Sequence, residues 1–491
     1  EGKKIVLARS PNEPARHARY HDQRAKILSM DTLSLSQIAE FAEAEILRGN
    51  ADALISRVST DSRTIKPGDL FVALRGEHFD AHNFLEQVTK AGAAAALVSC
   101  DPPPGLPETL AILRAADTLV AYQNLAANYR KTLPLKVLGI TGSNGKTSTK
   151  DFAASILGRA FRVTKTEGNF NNHVGLPRTI LEANRDHQFA VWELGMNHPG
   201  ESATLARIAS PDAGIITNVG IAHIEFMGSR EAIAQEKGAL AEAIDPGGFV
   251  VLNGDDDFSG SIANRTRARV IYAGIEEGAI RAIEVEQTAG GCEFTIVEGA
   301  HRCRAQLPVP GLHMVQNAIL AVAAGRALGV SLEECAAGLV SAPLAKARLQ
   351  IREIHGVQFI DDSYNANPDS MKAALRTLME LDTDGKRIAV LGRMLELGAE
   401  SERGHRDVGE AAATLGIDHL ISIGNDTMAL AAEEAGLENS AIAQDAGDAA
   451  EILNEIVAPG DLVLIKGSRS SRTELVMDEF VKLQPVGGNL Q

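Results

Sequence analysis

The run Gly142-Ser143-Asn144-Gly145-Lys146-Thr147 has the composition of a loop that cradles phosphates. Glycines at 142 and 145 let backbone N–H groups turn inward and approach phosphate oxygens closely, and a helix starting there adds its positive end. Lys146 can reach β- and γ-phosphates, and the Thr147 hydroxyl is placed for Mg²⁺. The strict pattern wants glycine at 140, where the chain has Ile140, so this is a TGxNGKT variant. A generic glycine turn is the bland alternative, and an apolar strand before the loop with a helix after it argues against that. The residues assigned to ATP are Gly142, Ser143, Asn144, Gly145, Lys146, Thr147 and Ser148. They predict an ATP-using, magnesium-dependent enzyme.

Glu193 (in Glu193-Leu194-Gly195-Met196-Asn197-His198) and His223 (in Asn218-Val219-Gly220-Ile221-Ala222-His223) each follow an apolar strand. Open α/β sheets bind ligands at such carboxyl ends. A carboxylate and an imidazole there could hold a second metal, which would clamp a transferring phosphoryl group. A surface carboxylate and a satisfied core histidine are the plain alternatives. Lys237 sits on a helix, where a lysine usually belongs to a solvated face. Arg348 precedes Asp361-Asp362-Ser363-Tyr364-Asn365-Ala366-Asn367-Pro368, a run dense enough in hydrogen-bonding groups to read as a binding loop. Lys466-Gly467-Ser468-Arg469 follows the last strand and could hold a carboxylate.

These groups need a frame. Strands are expected at 136–140, 189–193, 213–218 and 249–253, with helices between them, including one over 230–244. This predicts a mostly parallel sheet covered on both faces. A β-rich insertion is expected at 280–305. A second doubly wound sheet should use 358–360, 387–391, 419–423 and 461–465. Before the phosphate loop lies a small α/β unit, with a helix over 34–47 capped by Ser36, a strand at 70–74, a polar loop at 76–84 leading into an alanine-rich helix, and a linking helix at 118–129. The fold class is therefore α/β in three domains: 30–113, a central phosphate-loop ATPase-like domain at 114–345, and a Rossmann-like domain at 346–491. The length of 491 residues agrees with about 150 per domain. Residues 1–29 read as a flexible extension.

A formal net charge of −16 excludes a nucleic-acid-coating role, since no basic excess exists to neutralise phosphates. The four cysteines form no CxxC pair, so neither a zinc site nor a disulfide framework is expected. No apolar run of 18 or more residues exists, so no transmembrane segment is expected.

In order and spacing, five signatures resemble the Mur ligase family of peptidoglycan synthesis. They are the phosphate loop from Thr141, Gly168-Asn169-Phe170-Asn171-Asn172, the run Glu193 to Glu201, Gly311-Leu312-His313-Met314-Val315-Gln316-Asn317-Ala318, and the run Asp361 to Ser370. The resemblance covers about residue 30 to the end. Its ELGMNHPGE and DDSYNANP runs point to the member that adds D-alanyl-D-alanine to UDP-N-acetylmuramoyl-tripeptide. It implies that Lys146 and Thr147 serve ATP and Mg²⁺, that Glu193 and His223 are magnesium ligands, and that Lys237 is carbamylated. It also implies that Asn317 contacts adenine, that Arg348 reaches the phosphates, and that Asp362, Tyr364 and Asn365 border ribose and base. Ser62 and Arg63 would hold the uridine-diphosphate end, and Asn169, Asn171 and Asn172 would line the sugar-peptide path. His198 is a candidate base by position. The implied enzyme is cytoplasmic and monomeric. Two positions depart from the family pattern: Arg393, where aspartate is usual, and Ala81, where glycine is usual. A folylpolyglutamate-type ligase would share the ATP site but use another first domain. A regulatory ATP-binding module would release no phosphate in response to an amine.

Overall fold

A computed structural model describes residues 30–288 and 290–483. The expected extension at 1–29 lies outside the described residues. The chain divides into two compact units, one up to Leu135 together with His173–Gln188, the other Lys136–Asn172 together with the chain from Phe189 onward.

The first unit begins with helix Leu35–Ala42. Its cap is Ser34, not Ser36. The Gln37 N–H donates to Ser34 Oγ (3.2 Å) and the Ser34 N–H donates to Gln37 Oε1 (2.9 Å), a reciprocal capping box. The helix stops far short of 47, because Glu43 adopts a left-handed conformation (φ 53) and Glu45–Arg48 turns into a strand of alternating exposure. Ile46 therefore belongs to a sheet face. The alanine-rich helix is also corrected. Helix Leu85–Lys90 contains no alanine, and the alanines that follow enter Ala95–Val98, a strand buried along its whole length. Small residues there suit a strand covered on both faces. The five-stranded sheet runs Glu45–Arg48, Ala111–Arg114, Ala95–Val98, Leu70–Val72, Val58–Ser59, parallel except for the first pair. Helix Thr118–Thr132 belongs to this unit and is capped by Asp117, whose Oδ1 accepts from the Leu119 N–H at 2.7 Å.

The second unit holds two sheets. The nine-stranded one runs His301–Leu307, Gly291–Glu298, Ile280–Thr288, Arg269–Gly274, Phe249–Asn253, Ala213–Ile216, Lys136–Thr141, Phe189–Glu193, Val163–Lys165. Its central strands are parallel and buried, as near-continuous runs of Val, Ile and Leu require. The segment expected as an insertion joins this same sheet by a short parallel pairing of Ile280–Thr288 with Arg269–Gly274 and extends it by two antiparallel pairs. Helix Leu312–Ala327 is apolar around most of its circumference and is correspondingly buried.

The six-stranded sheet runs Gln350–Ile354, Val357–Asp361, Leu462–Lys466, Arg387–Gly392, His419–Ile423, Ser440–Ala443, parallel except for the first pair. Gln350–Ile354 and Ser440–Ala443 are strands beyond the expected four. Both are edge strands with weak apolar pattern.

Candidate functional site

Strand Lys136–Thr141 feeds the phosphate loop directly into helix Lys146–Gly158. Gly142 (φ 150) and Gly145 (φ 80) both need glycine, for different neighbours. A Cβ on Gly142 would lie 1.8 Å from Thr217 Oγ1, and one on Gly145 would lie 2.0 Å from Asn317 Oδ1. The loop is tied down from the end of the adjacent strand. The Ser143 N–H donates to Asn218 O and the Asn144 N–H to Asn218 Oδ1, each at 2.9 Å, while Thr217 Oγ1 donates to Asn144 O at 2.5 Å. Lys146 Nζ folds back over the loop and donates to Gly142 O at 2.8 Å and Ser143 O at 3.2 Å. Desolvation pushes its pKa below the ordinary lysine value, opposed by the charge of Glu193 and reinforced by that of Arg348. Ser148 is buried in the first helical turn.

Thr147 is the meeting point. Its hydroxyl donates to Glu193 Oε2 (3.0 Å) and accepts from Arg348 Nη2 (3.0 Å). Glu193 Oε1 accepts from Asn171 Nδ2 at 2.8 Å. Glu193 is 2% exposed and makes no ion pair among the described residues. A hydroxyl beside a buried carboxylate without a basic partner is a hard oxygen donor set, which fits Mg²⁺ completed by nucleotide phosphates. Among the described residues, no group of three or more His, Cys, Asp or Glu side chains could hold a metal by itself. His223 takes a left-handed conformation (φ 63) and meets another carboxylate. Its Nδ1 lies 2.6 Å from Glu396 Oε2, an ion-pair distance without hydrogen-bond alignment.

Arg348 lies between two left-handed residues, Ala347 (φ 58) and Leu349 (φ 52). Its guanidinium carbon stands 4.3 Å from the centre of the Tyr364 ring, a cation–π contact that helps aim it at Thr147. Asp362 pairs with Lys466 Nζ at 2.6 Å, and the same ammonium donates to Asn365 O at 2.9 Å. Asn317 is buried against Gly145. Lys237 is 1% exposed, and desolvation followed by the charge of Lys146 drives its pKa well below the ordinary value. The solvated-face reading of Lys237 is therefore wrong.

Other expected residues lie elsewhere. His198 is half exposed, 3.5 Å from Glu201 Oε1, with its ring 4.6 Å from Phe226. Asn169 accepts the Asn171 N–H at 2.8 Å, and Asn172 follows on the same loop. Ser62 and Arg63 are in the first unit, where the Arg63 guanidinium and backbone N–H hold the Asp61 carboxyl down at about 2. Ser468 Oγ accepts the Leu395 N–H at 3.0 Å, and Arg469 pairs with Glu474 at 3.0 Å.

Sequence reasoning assigned no individual role to four groups that shape the loop and the neighbouring 218–223 turn: Thr217, Asn218, Asn367 and Asp369. Asn367 Nδ2 donates to Asn144 Oδ1 at 2.8 Å, and Asp369 Oδ2 accepts the Ile221 N–H at 3.0 Å. The one available signal was Asn367 before Pro368, a helix cap that caps helix Pro368–Glu380 and reads the phosphate loop at once.

Comparison with known proteins agrees with this arrangement. Family profiles match residues 54–130 ("Mur ligase family, catalytic domain"), 140–325 ("Mur ligase middle domain") and 347–469 ("Mur ligase, glutamate ligase domain"). The chain is 36% identical over 458 residues to the UDP-N-acetylmuramoyl-tripeptide–D-alanyl-D-alanine ligase of Bacillus subtilis (strain 168), covering 91% of this chain and 98% of that protein. It superposes on a crystal structure of MurF from Acinetobacter baumannii with a TM-score of 0.86 at 36% identity, covering 92% of this chain and 99% of that one. MurF ligase from Thermotoga maritima, solved in complex with ADP, gives a TM-score of 0.78 at 28% identity, covering 87% and 97%. The chain belongs to the Mur ligase family.

Proposed function

We propose that this chain is the ATP-dependent ligase that joins D-alanyl-D-alanine to UDP-N-acetylmuramoyl-tripeptide. The observation that carries the reading is the Thr147 hydroxyl held between Glu193 and Arg348 beside Lys146.

The tripeptide's terminal carboxylate attacks the γ-phosphorus, an O–P bond forms, and the bond to ADP breaks. The dipeptide amine then attacks the acyl-phosphate carbonyl, inorganic phosphate leaves, and the amine gives up a proton. Attack by a carboxylate on a polyanion meets charge repulsion. Lys146 and Arg348, aimed at the loop by Gly142 O and by the Tyr364 ring, offset it electrostatically. Thr147 and Glu193 would hold Mg²⁺, with His223 in reach of a second cation, and the metal supplies further charge neutralisation on the phosphates. Burial and the charge of Lys146 shift Lys237 toward the neutral amine, the form that adds CO₂, and as a carbamate it would present a carboxylate beside Lys146. Asn317, Asp362, Tyr364 and Asn365 would frame the nucleoside.

In this reading residues 30–113 hold the uridine-diphosphate end, 114–345 hold ATP, and 346–491 hold the dipeptide. No described helix is long and apolar enough to cross a membrane. In this reading the reaction runs in the cytoplasm, where UDP-linked precursors are made. The enzyme acts as a monomer.

The test is phosphate release from ATP with UDP-N-acetylmuramoyl-tripeptide, with and without D-alanyl-D-alanine, followed by mass spectrometry. Release that requires the dipeptide, with a pentapeptide product, is expected. Turnover with another acceptor only would overturn the substrate assignment while leaving the ligase chemistry.

A further inference from the structure

We infer that Arg393, seconded by Arg472, binds the free carboxylate of the acceptor and so selects acceptors that end in one. The inference rests on the proposed reading that the acceptor is a dipeptide.

A cavity of about 670 Å³ opens at the carboxyl edge of the six-stranded sheet, lined by Arg393, Gly424, Gln444, Ser471 and Arg472 among others. It joins the candidate site through one loop. Leu395 lines the cavity, its N–H is held by Ser468 Oγ (3.0 Å), and the next residue, Glu396, meets His223 at 2.6 Å.

The charges inside the unit decide which cations are available. Lys466 and Arg469, the cations that the sequence offers for a carboxylate, are already committed, to Asp362 (2.6 Å) and to Glu474 (3.0 Å). Arg393 and Arg472 make no ion pair, and no hydrogen bond from either guanidinium, among the described residues. The acids on the cavity wall do not serve them either. Asp445 accepts the Gly447 and Asp448 N–H groups at 2.9 and 3.1 Å, and Glu479 pairs with Lys482 at 2.8 Å. Gly424 (φ 62) lets the Arg393 chain lie across it, 3.7 Å from where a Cβ would stand. Two unmatched guanidinia thus face one cavity in a chain of net charge −16. A planar fork of donors matches a carboxylate with two parallel bonds, which a neutral amide cannot accept in the same way.

The experiment is steady-state kinetics on the full chain with D-alanyl-D-alanine and with its C-terminal amide, for wild type, Arg393→Gln, Arg393→Lys and Arg472→Asn. Asparagine tolerates the left-handed backbone of Arg472 (φ 47). Wild type should favour the acid over the amide by about tenfold to a hundredfold, the scale of a charge-assisted pair. Arg393→Gln should raise KM for the acid by a similar factor, abolish the preference, and leave KM for ATP and for the UDP-linked substrate unchanged. Arg393→Lys should recover part of the preference, and Arg472→Asn should lose a smaller part. Wild type that turns over, with Arg393→Gln keeping both its KM and its preference, overturns the inference alone. Wild type that never consumes the dipeptide overturns the functional reading and this inference together.

Discussion

The carboxyl edges of the two sheets in the second unit are built to opposite rules. On the nine-stranded sheet the side chains of the phosphate loop are tied down: Asn144 to Asn367, Lys146 to Gly142 and Ser143, Thr147 to Glu193 and Arg348. Its glycines have neighbours closer than any Cβ tolerates. On the six-stranded sheet the corresponding edge is an open cavity with exposed arginines and a glycine, Gly424, that still leaves room. A phosphate loop serves a ligand of one shape, so it gains from rigidity. An acceptor pocket must discriminate among related amines, and a few unmatched charges in an open site do that while the sheet beneath stays fixed.

The sharpest way to break the comparison is at its rigid end. Lys146→Ala should cut kcat by roughly 10²–10³-fold, the scale for loss of one preorganised electrostatic group. Gly142→Ala should abolish ATP-dependent turnover as well and cost about 1–3 kcal/mol of stability through overpacking against Thr217. Denaturant unfolding reads the stability loss. Adding Thr217→Ala should restore part of it, and no restoration would mean that the clash is not the cause.

Lys237 gives the next effect in size. Its folded pKa is depressed, so between that value and the ordinary 10.5 the unfolded chain binds the extra proton. Stability should therefore rise with pH through that window, and Lys237→Met should remove part of the rise, with Lys146 supplying the same sign. Chemical denaturation from neutral pH to pH 10 measures it. An unchanged slope in the variant would contradict a depressed Lys237 pKa. The smallest effect belongs to the open edge. Arg469→Ala breaks a largely exposed pair with Glu474 and should change stability by no more than about 1 kcal/mol, with KM for the dipeptide unaltered. A large KM change would move carboxylate recognition from Arg393 to Arg469.

How far the sequence could be read differs between regions for the same physical reasons. The strands around the phosphate loop were legible because buried parallel strands are continuous apolar runs. Helix 34–47 was misread because Ile46 satisfies both a helical and a strand pattern, and only pairing of Glu45–Arg48 with Ala111–Arg114 separates them. Ala95 and Ala96 carry good helix propensity, and burial in a sheet overrides it.

The sequence by itself determined the chemistry on offer: a phosphate loop, a threonine and a carboxylate for a cation, and basic groups for phosphates. These follow from residue type and from contacts only a few positions apart. Tertiary structure alone decided which groups meet. It sets Arg348 on Thr147 across 201 positions and Asn367 on Asn144 across 223. Among the described residues, it also buries Lys237 without a carboxylate ion pair, pairs off Lys466 and Arg469, and leaves Arg393 unpaired. A charge's partner and its desolvation depend on distances between distant segments, and local pattern carries no record of those.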